Sequence, residues 1–156
     1  MKTILLATAL LLAAPVAQAC ETFTIGDISV ERAWSRASIG TDRPGVLYLE
    51  ITNAGATDDA LVGIATPADA MLMLHETVVK GGIASMSHVA SISVAAGQTV
   101  ALSPGGFHGM LMGLTEALTE GATFPVTLTF AQAGSVNVTV DVLSMRAEGP
   151  GCDDAK

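Results

Sequence analysis

The sequence predicts an all-β domain, an antiparallel sandwich or barrel, on two observations. Apolar residues come in β-branched or alternating runs, and clusters of Gly, Pro, Asn or Asp break those runs roughly every eight to twelve residues. In chain order the runs are 46–52, 60–64, 71–79, 83–94, 99–102, 123–131 and 135–142. Residues 46–52 alternate strictly, with Leu47, Leu49 and Ile51 on one side; 71–79 and 135–142 repeat the two-residue period that half-buried strands require. Turn chemistry separates them: 53–59 carries Asn, Gly and two Asp, Lys80-Gly81-Gly82 follows the third run, and 95–97, 103–106 and Ala133-Gly134 complete the set. Residues 114–119 are the one stretch with room for a helical turn. No internal repeat or low-complexity tract is present, and 147–156, rich in Gly, Pro and Asp, is expected to be a loose tail.

Residues 1–19 are expected to be an address and not part of the fold. Lys2 gives the positive end, Ile4 to Ala14 is an apolar run, and Ala17-Gln18-Ala19 is an A-x-A cleavage site before Cys20. The run is too short to span a bilayer. The expected organisation is a signal peptide over 1–19, one β domain over 20–146 and the tail over 147–156. Removal of Lys2 takes the formal net charge from −8 to −9. A domain this acidic, without a Lys/Arg cluster, is a poor match for nucleic acid or anionic lipid as a partner. Cys20 and Cys152 stand at the two ends of the exported chain. A disulfide between them suits an oxidising compartment. Lipid attachment at Cys20 is the other reading, less favoured because Ala17-Gln18-Ala19 lacks the Leu-[Ala/Ser]-[Gly/Ala] pattern usual before a lipidated Cys.

The chemistry of the chain is concentrated between Met71 and Met112. All three histidines and five of the six methionines after Met1 fall there, and His75, Met86, His108 and Met110 are spaced His-x10-Met-x21-His-x-Met. Two imidazoles and two thioethers make a soft, uncharged donor set that suits Cu(I) better than zinc, magnesium or calcium. If Lys80-Gly81 is a two-residue hairpin turn, His75 lies directly across from Met86, and Met73 across from His88. On an extended strand His108, Met110 and Met112 share one face. Taken singly, Met71, Met73 and Met112 read as core filler and His88 as a rim residue.

The stretch from His75-Glu76 through Gly82-Ile83 and Met86 to 102–114 resembles the periplasmic copper chaperones of the PCuAC type, whose pattern is this same His-x10-Met-x21-His-x-Met array. Ala33-Trp34-Ser35-Arg36, the strand 46–53 with its Tyr48, and 120–130 resemble further elements of that family. The resemblance implies a cupredoxin-like antiparallel β-sandwich, with His75, Met86, His108 and Met110 as Cu(I) ligands. It also implies a carrier that delivers copper in the periplasm toward the binuclear copper centre of cytochrome c oxidase, alongside Sco-type thiol proteins; the chain is expected to be a monomer. Where relatives carry a His- and Met-rich tail, 147–156 has neither residue.

Other classes fit less well. An electron-transfer cupredoxin needs a Cys thiolate beside two histidines, and both cysteines lie outside the array. An enzyme needs a nucleophile with its base, or an open zinc site, and Glu76 beside His75 faces away by strand alternation. A structural or adhesive sandwich with an incidental Met/His-rich surface, or a copper-buffering protein, are the remaining readings.

Overall fold

A computed structural model describes residues 20–67 and 70–152. The expected signal peptide over 1–19 and the last four residues of the expected tail lie outside them. Eleven strands follow in order: β1 Phe23–Ile25, β2 Ile28–Arg36, β3 Gly45–Asn53, β4 Asp59–Ala65, β5 Met71–Lys80, β6 Ile83–His88, β7 Ile92–Val94, β8 Thr99–Leu102, β9 Phe107–Met112, β10 Thr123–Phe130 and β11 Gly134–Leu143. The all-β class stands. The run over 83–94 is two strands, because 89–91 leave the ladder and β7 pairs with β4 instead of β5. Residues 114–119 form no helical turn; they are held as an irregular loop by Leu118 N–H donating to Ser38 Oγ and Ser38 N–H to Leu118 O.

The strands join in the order β6-β5-β9-β8-β3-β2-β11-β10-β4-β7, with β1 on β2 and a further pairing of β9 with β3. Most neighbours are antiparallel, but β11 runs parallel to β2 and β8 parallel to β9, so the sheet is mixed. The path folds over on itself, bringing β4 against β5 and β7 against β3. Between the two halves lies the core, which includes Val30, Leu47, Leu49, Ile51, Leu61, Leu72, Leu74, Ile92, Leu111, Val126, Leu128 and Val140. These are the inward members of the alternating runs, whose burial supplies the main drive for folding.

Two local devices shape the sheet. Arg32 takes φ +54° where the register between β2 and β3 slips after Glu31, an extra residue that sends Ala33 into the core and Trp34 to the outer face. There Trp34 packs on Tyr48 with ring centres 4.7 Å apart, and the Arg36 guanidinium lies 5.8 and 5.9 Å from the two rings. Burial pushes the Tyr48 hydroxyl above its ordinary range, with Arg36 pulling the other way. The second device is Asn53, buried at the end of β3, whose amide donates to the carbonyls of Thr57 and Val94 while its oxygen accepts from Gly55 N–H.

Over the segment expected to be a tail, Arg36 Nε donates to Ala147 O, Ala147 packs on the Trp34–Tyr48 pair, and Cys152 is bonded to Cys20. The bridge between the chain's two cysteines is therefore present. A Cys20 engaged in it has no thiol left for a lipid.

Candidate metal centre

The β5–β6 hairpin turns on Gly81 and Gly82, with φ +58° and +81°, and closes on the pair Lys80 and Ile83. A two-residue turn with both central residues left-handed matches the twist of the strands, and glycine takes that conformation without a Cβ clash. The turn expected at Lys80-Gly81 is thus displaced by one residue, since it would force Lys80 into a region its side chain disfavours. The correction changes every partner. His75 faces His88, not Met86; Met86 faces Thr77; and Met73 does not face His88. Because the displacement keeps the parity of the ladder, His75, Met86 and His88 still share one face of the sheet, with Met86 a diagonal neighbour of His75.

On its other side β5 pairs with β9, the extended strand on which His108, Met110 and Met112 were expected to share one face. Met71 pairs with Met112, Met73 with Met110 and His75 with His108. These three pairs lie on the outer face, while Leu72 with Leu111, and Leu74 with Gly109, face the core between them. β9 is in turn flanked by β3, Val46 pairing with Met110. Gly109 is crowded by its ladder partner Leu47 on β3 and by Ile64 of β4. A Cβ there would sit 2.9 Å from Leu47 Cβ and 3.3 Å from Ile64 Cδ1, so only glycine lets β9 lie flat and present His108 and Met110 outward.

The imidazoles form a row across three strands. Ring centres of His75 and His108 are 5.9 Å apart and nearly parallel; those of His75 and His88 are 5.7 Å apart and edge-on. His108 is 4% exposed, and its Nδ1 lies 3.1 Å from the Gly106 carbonyl. A carbonyl only accepts, so that nitrogen carries the proton and Nε2 the lone pair. The same carbonyl accepts Thr77 N–H, tying the ring to β5. His108 Nε2 and His75 Nδ1 are both buried without a hydrogen-bond partner. They are the only such side-chain nitrogens or oxygens among the described residues. Donor burial falls from His108 outward: Met110 and His75 are half-buried, Met86 is 52% exposed, and all of β6, His88 included, is open to solvent.

No group of three or more His, Cys, Asp or Glu side chains among the described residues is placed to hold a metal ion, which leaves out a zinc triad of His75, His88 and His108 as they stand. What the fold assembles is a pair of imidazoles with thioethers around it. Sequence reasoning missed one of these. Met73 stands directly opposite Met110 and two residues from His75, and the alternation of 71–75 already put it on the face of His75; only the strand pairing shows what it meets.

A family model describing LpqE-like lipoproteins matches residues 28–142. The chain belongs to the LpqE-like family. A relative in Leifsonia xyli subsp. xyli, named as a lipoprotein and designated Lxx21020, is 36% identical over 116 residues, 74% of this chain and 69% of that protein. Among solved structures this LpqE-like chain is similar to apo-DR1885 of Deinococcus radiodurans, with 31% identity over 96% of this chain and 99% of that one, at a TM-score of 0.60. The CuI form of DR1885 is 34% identical over 76% and 78% of the two chains, again at 0.60. The apo PCuAC domain of PmoF2 gives a TM-score of 0.69 at 22% identity, covering 83% of this chain and all of that domain. The expected kinship with PCuAC proteins and the cupredoxin-like sandwich both stand.

Proposed function

We propose that the chain is a Cu(I) carrier that holds its ion with His75, His108, Met110 and Met86. The observation that supports this most is the pair of unpartnered buried ring nitrogens, His75 Nδ1 and His108 Nε2, on one sheet face with a thioether adjoining. A buried nitrogen without a partner costs about 1 to 3 kcal/mol, and a metal ion takes up that lone pair. Two imidazoles bound to one ion through nitrogens at about 2.0 Å place their ring centres about 5 to 6 Å apart, which the His75–His108 spacing of 5.9 Å meets. The donors are neutral and half of them are sulfur, which favours Cu(I) over zinc. The CuI form of the DR1885 protein and the copper-bound PCuAC domain of PmoF2 lend support by kinship.

The gradient of burial gives a route for release. His108 anchors the ion at the sheet, while Met86 reaches in from an exposed edge strand and is the donor an acceptor's ligand displaces first. Thioethers carry no charge, so a thiolate replacing one gains electrostatically. We read the chain as a carrier and not an enzyme, exported to the periplasm and delivering copper toward the binuclear centre of cytochrome c oxidase with Sco-type partners. That finer assignment rests on the resemblance of the ligand array.

Anaerobic titration with Cu(I) against a competing chelator tests the site. One tight equivalent is expected, with Met86→Leu weakening it at least tenfold and leaving the fold intact. A variant carrying His75→Ala, Met86→Leu, His108→Ala and Met110→Leu that bound as tightly as wild type would remove the proposal.

A further inference from the structure

We infer a second Cu(I) site, made of sulfur alone, from Met71, Met73 and Met112 at the exposed end of the β5–β9 seam. The inference rests on copper being the cargo proposed above, and goes beyond it in placing a distinct ion. Along that seam the outward pairs are His75 with His108, then Met73 with Met110, then Met71 with Met112. Opposed Cβ atoms in such pairs lie about 4.5 to 5.5 Å apart, and successive pairs about 6.8 Å apart along the strands. Met110 belongs to the first site, leaving three flexible thioethers, Met73 one pair-spacing from the imidazoles and Met71 with Met112 two.

Packing does not account for this choice of residue. On the same two strands the inward positions are Leu72, Leu74 and Leu111, all buried, and the crowded Gly109, so leucine is used wherever an apolar side chain fits. All four outward positions beyond the histidines are methionine, although the whole chain has only seven. Met71 is 64% and Met112 38% exposed, where an apolar side chain gains little from burial and a soft donor is accessible. Three thioethers form a set that selects Cu(I) and, with no imidazole, holds it more weakly than the first site. An ion there waits within one side-chain reach of Met110, at the opposite end of the array from Met86, so loading and release have separate ends.

The test is anaerobic Cu(I) titration of the full exported chain labelled with carbon-13 at its methionine methyls, on wild type and on the M71L/M112L double variant. These volume-conserving changes at exposed positions leave the fold intact. Wild type is expected to take two equivalents. The first shifts the Met86 and Met110 methyls, and the second those of Met71, Met73 and Met112. The double variant is expected to stop at one. A wild type that takes one equivalent without moving the Met71 and Met112 methyls, or a double variant that still takes two, overturns the second site. One equivalent that moves the Met71, Met73 and Met112 methyls while that of Met86 stays unmoved upholds it, and overturns instead the His75/His108 site.

Discussion

His108 carries a buried nitrogen that the fold does not satisfy. Its Nδ1 hydrogen bond orients the ring, yet Nε2 is left buried and unsatisfied. Replacing such a group by an apolar one of similar shape is nearly neutral or stabilising, whereas removing only its partner is not. His108→Phe is therefore expected to leave the metal-free protein within about 1 kcal/mol of wild type in urea unfolding, because Gly106 O keeps Thr77 N–H as a donor. The same change should abolish tight Cu(I) binding. A variant that lost both stability and binding would make the residue structural.

Asp59 shows the opposite economy, a buried polar group fully answered. Burial would raise its carboxyl, but N–H groups of Gln132, Ala60 and Ala133 donate to its two oxygens and outweigh that, holding it below the ordinary aspartate value. A depressed folded-state value means the stabilisation is present above the unfolded value near 3.8 and is lost as pH falls through the lower folded one. Asp59→Asn should lower stability at pH 7, by about 1 to 3 kcal/mol, and flatten the acid limb of the stability–pH curve. Equal acid limbs for wild type and variant would remove the carboxylate from the account.

At the scale of the element, the β5–β6 hairpin shows what was readable in the sequence and what was not. Strand positions 46–52, 71–79, 99–102 and 123–131 were legible because alternation marks a half-buried strand directly. The face shared by His75, Met86, His108 and Met110 was legible for the same reason. Which residue meets which was not, because pairing depends on the turn, and Lys80-Gly81-Gly82 admits two placements. Nor was β2 found, since its bulge at Arg32 interrupts the alternation. β9 was legible as the face shared by His108, Met110 and Met112, but not its pairing through Gly109, which lies against Leu47 and Ile64. Gly82→Val places a β-branched residue at φ +81°, a strain of about 1 to 3 kcal/mol. Because β6 is exposed throughout, the expected result is local. Amide exchange should rise over 83–88 and Cu(I) binding weaken through Met86, with the core amides unchanged.

At the scale of the whole molecule, the chain's two ends are joined to each other. The Cys20–Cys152 bridge closes a loop of 132 residues, for which constraint of the unfolded chain contributes about 4 to 5 kcal/mol at most. It also holds down 147–152, whose Ala147 covers the Trp34–Tyr48 pair and takes the Arg36 hydrogen bond. No residue of 147–152 takes part in the pairing of the β5–β9 seam. Its pairs are set by β5, β9 and β3, and its orienting carbonyl is on Gly106. A Cys20→Ser, Cys152→Ser variant should thus unfold at lower urea, by roughly 2 to 5 kcal/mol, and show Trp34 fluorescence shifted toward that of an exposed indole. Its Cu(I) affinity, measured below the unfolding transition, should match wild type. Copper binding lost in the folded variant would mean that the ends of the chain, and not the seam alone, hold the site together.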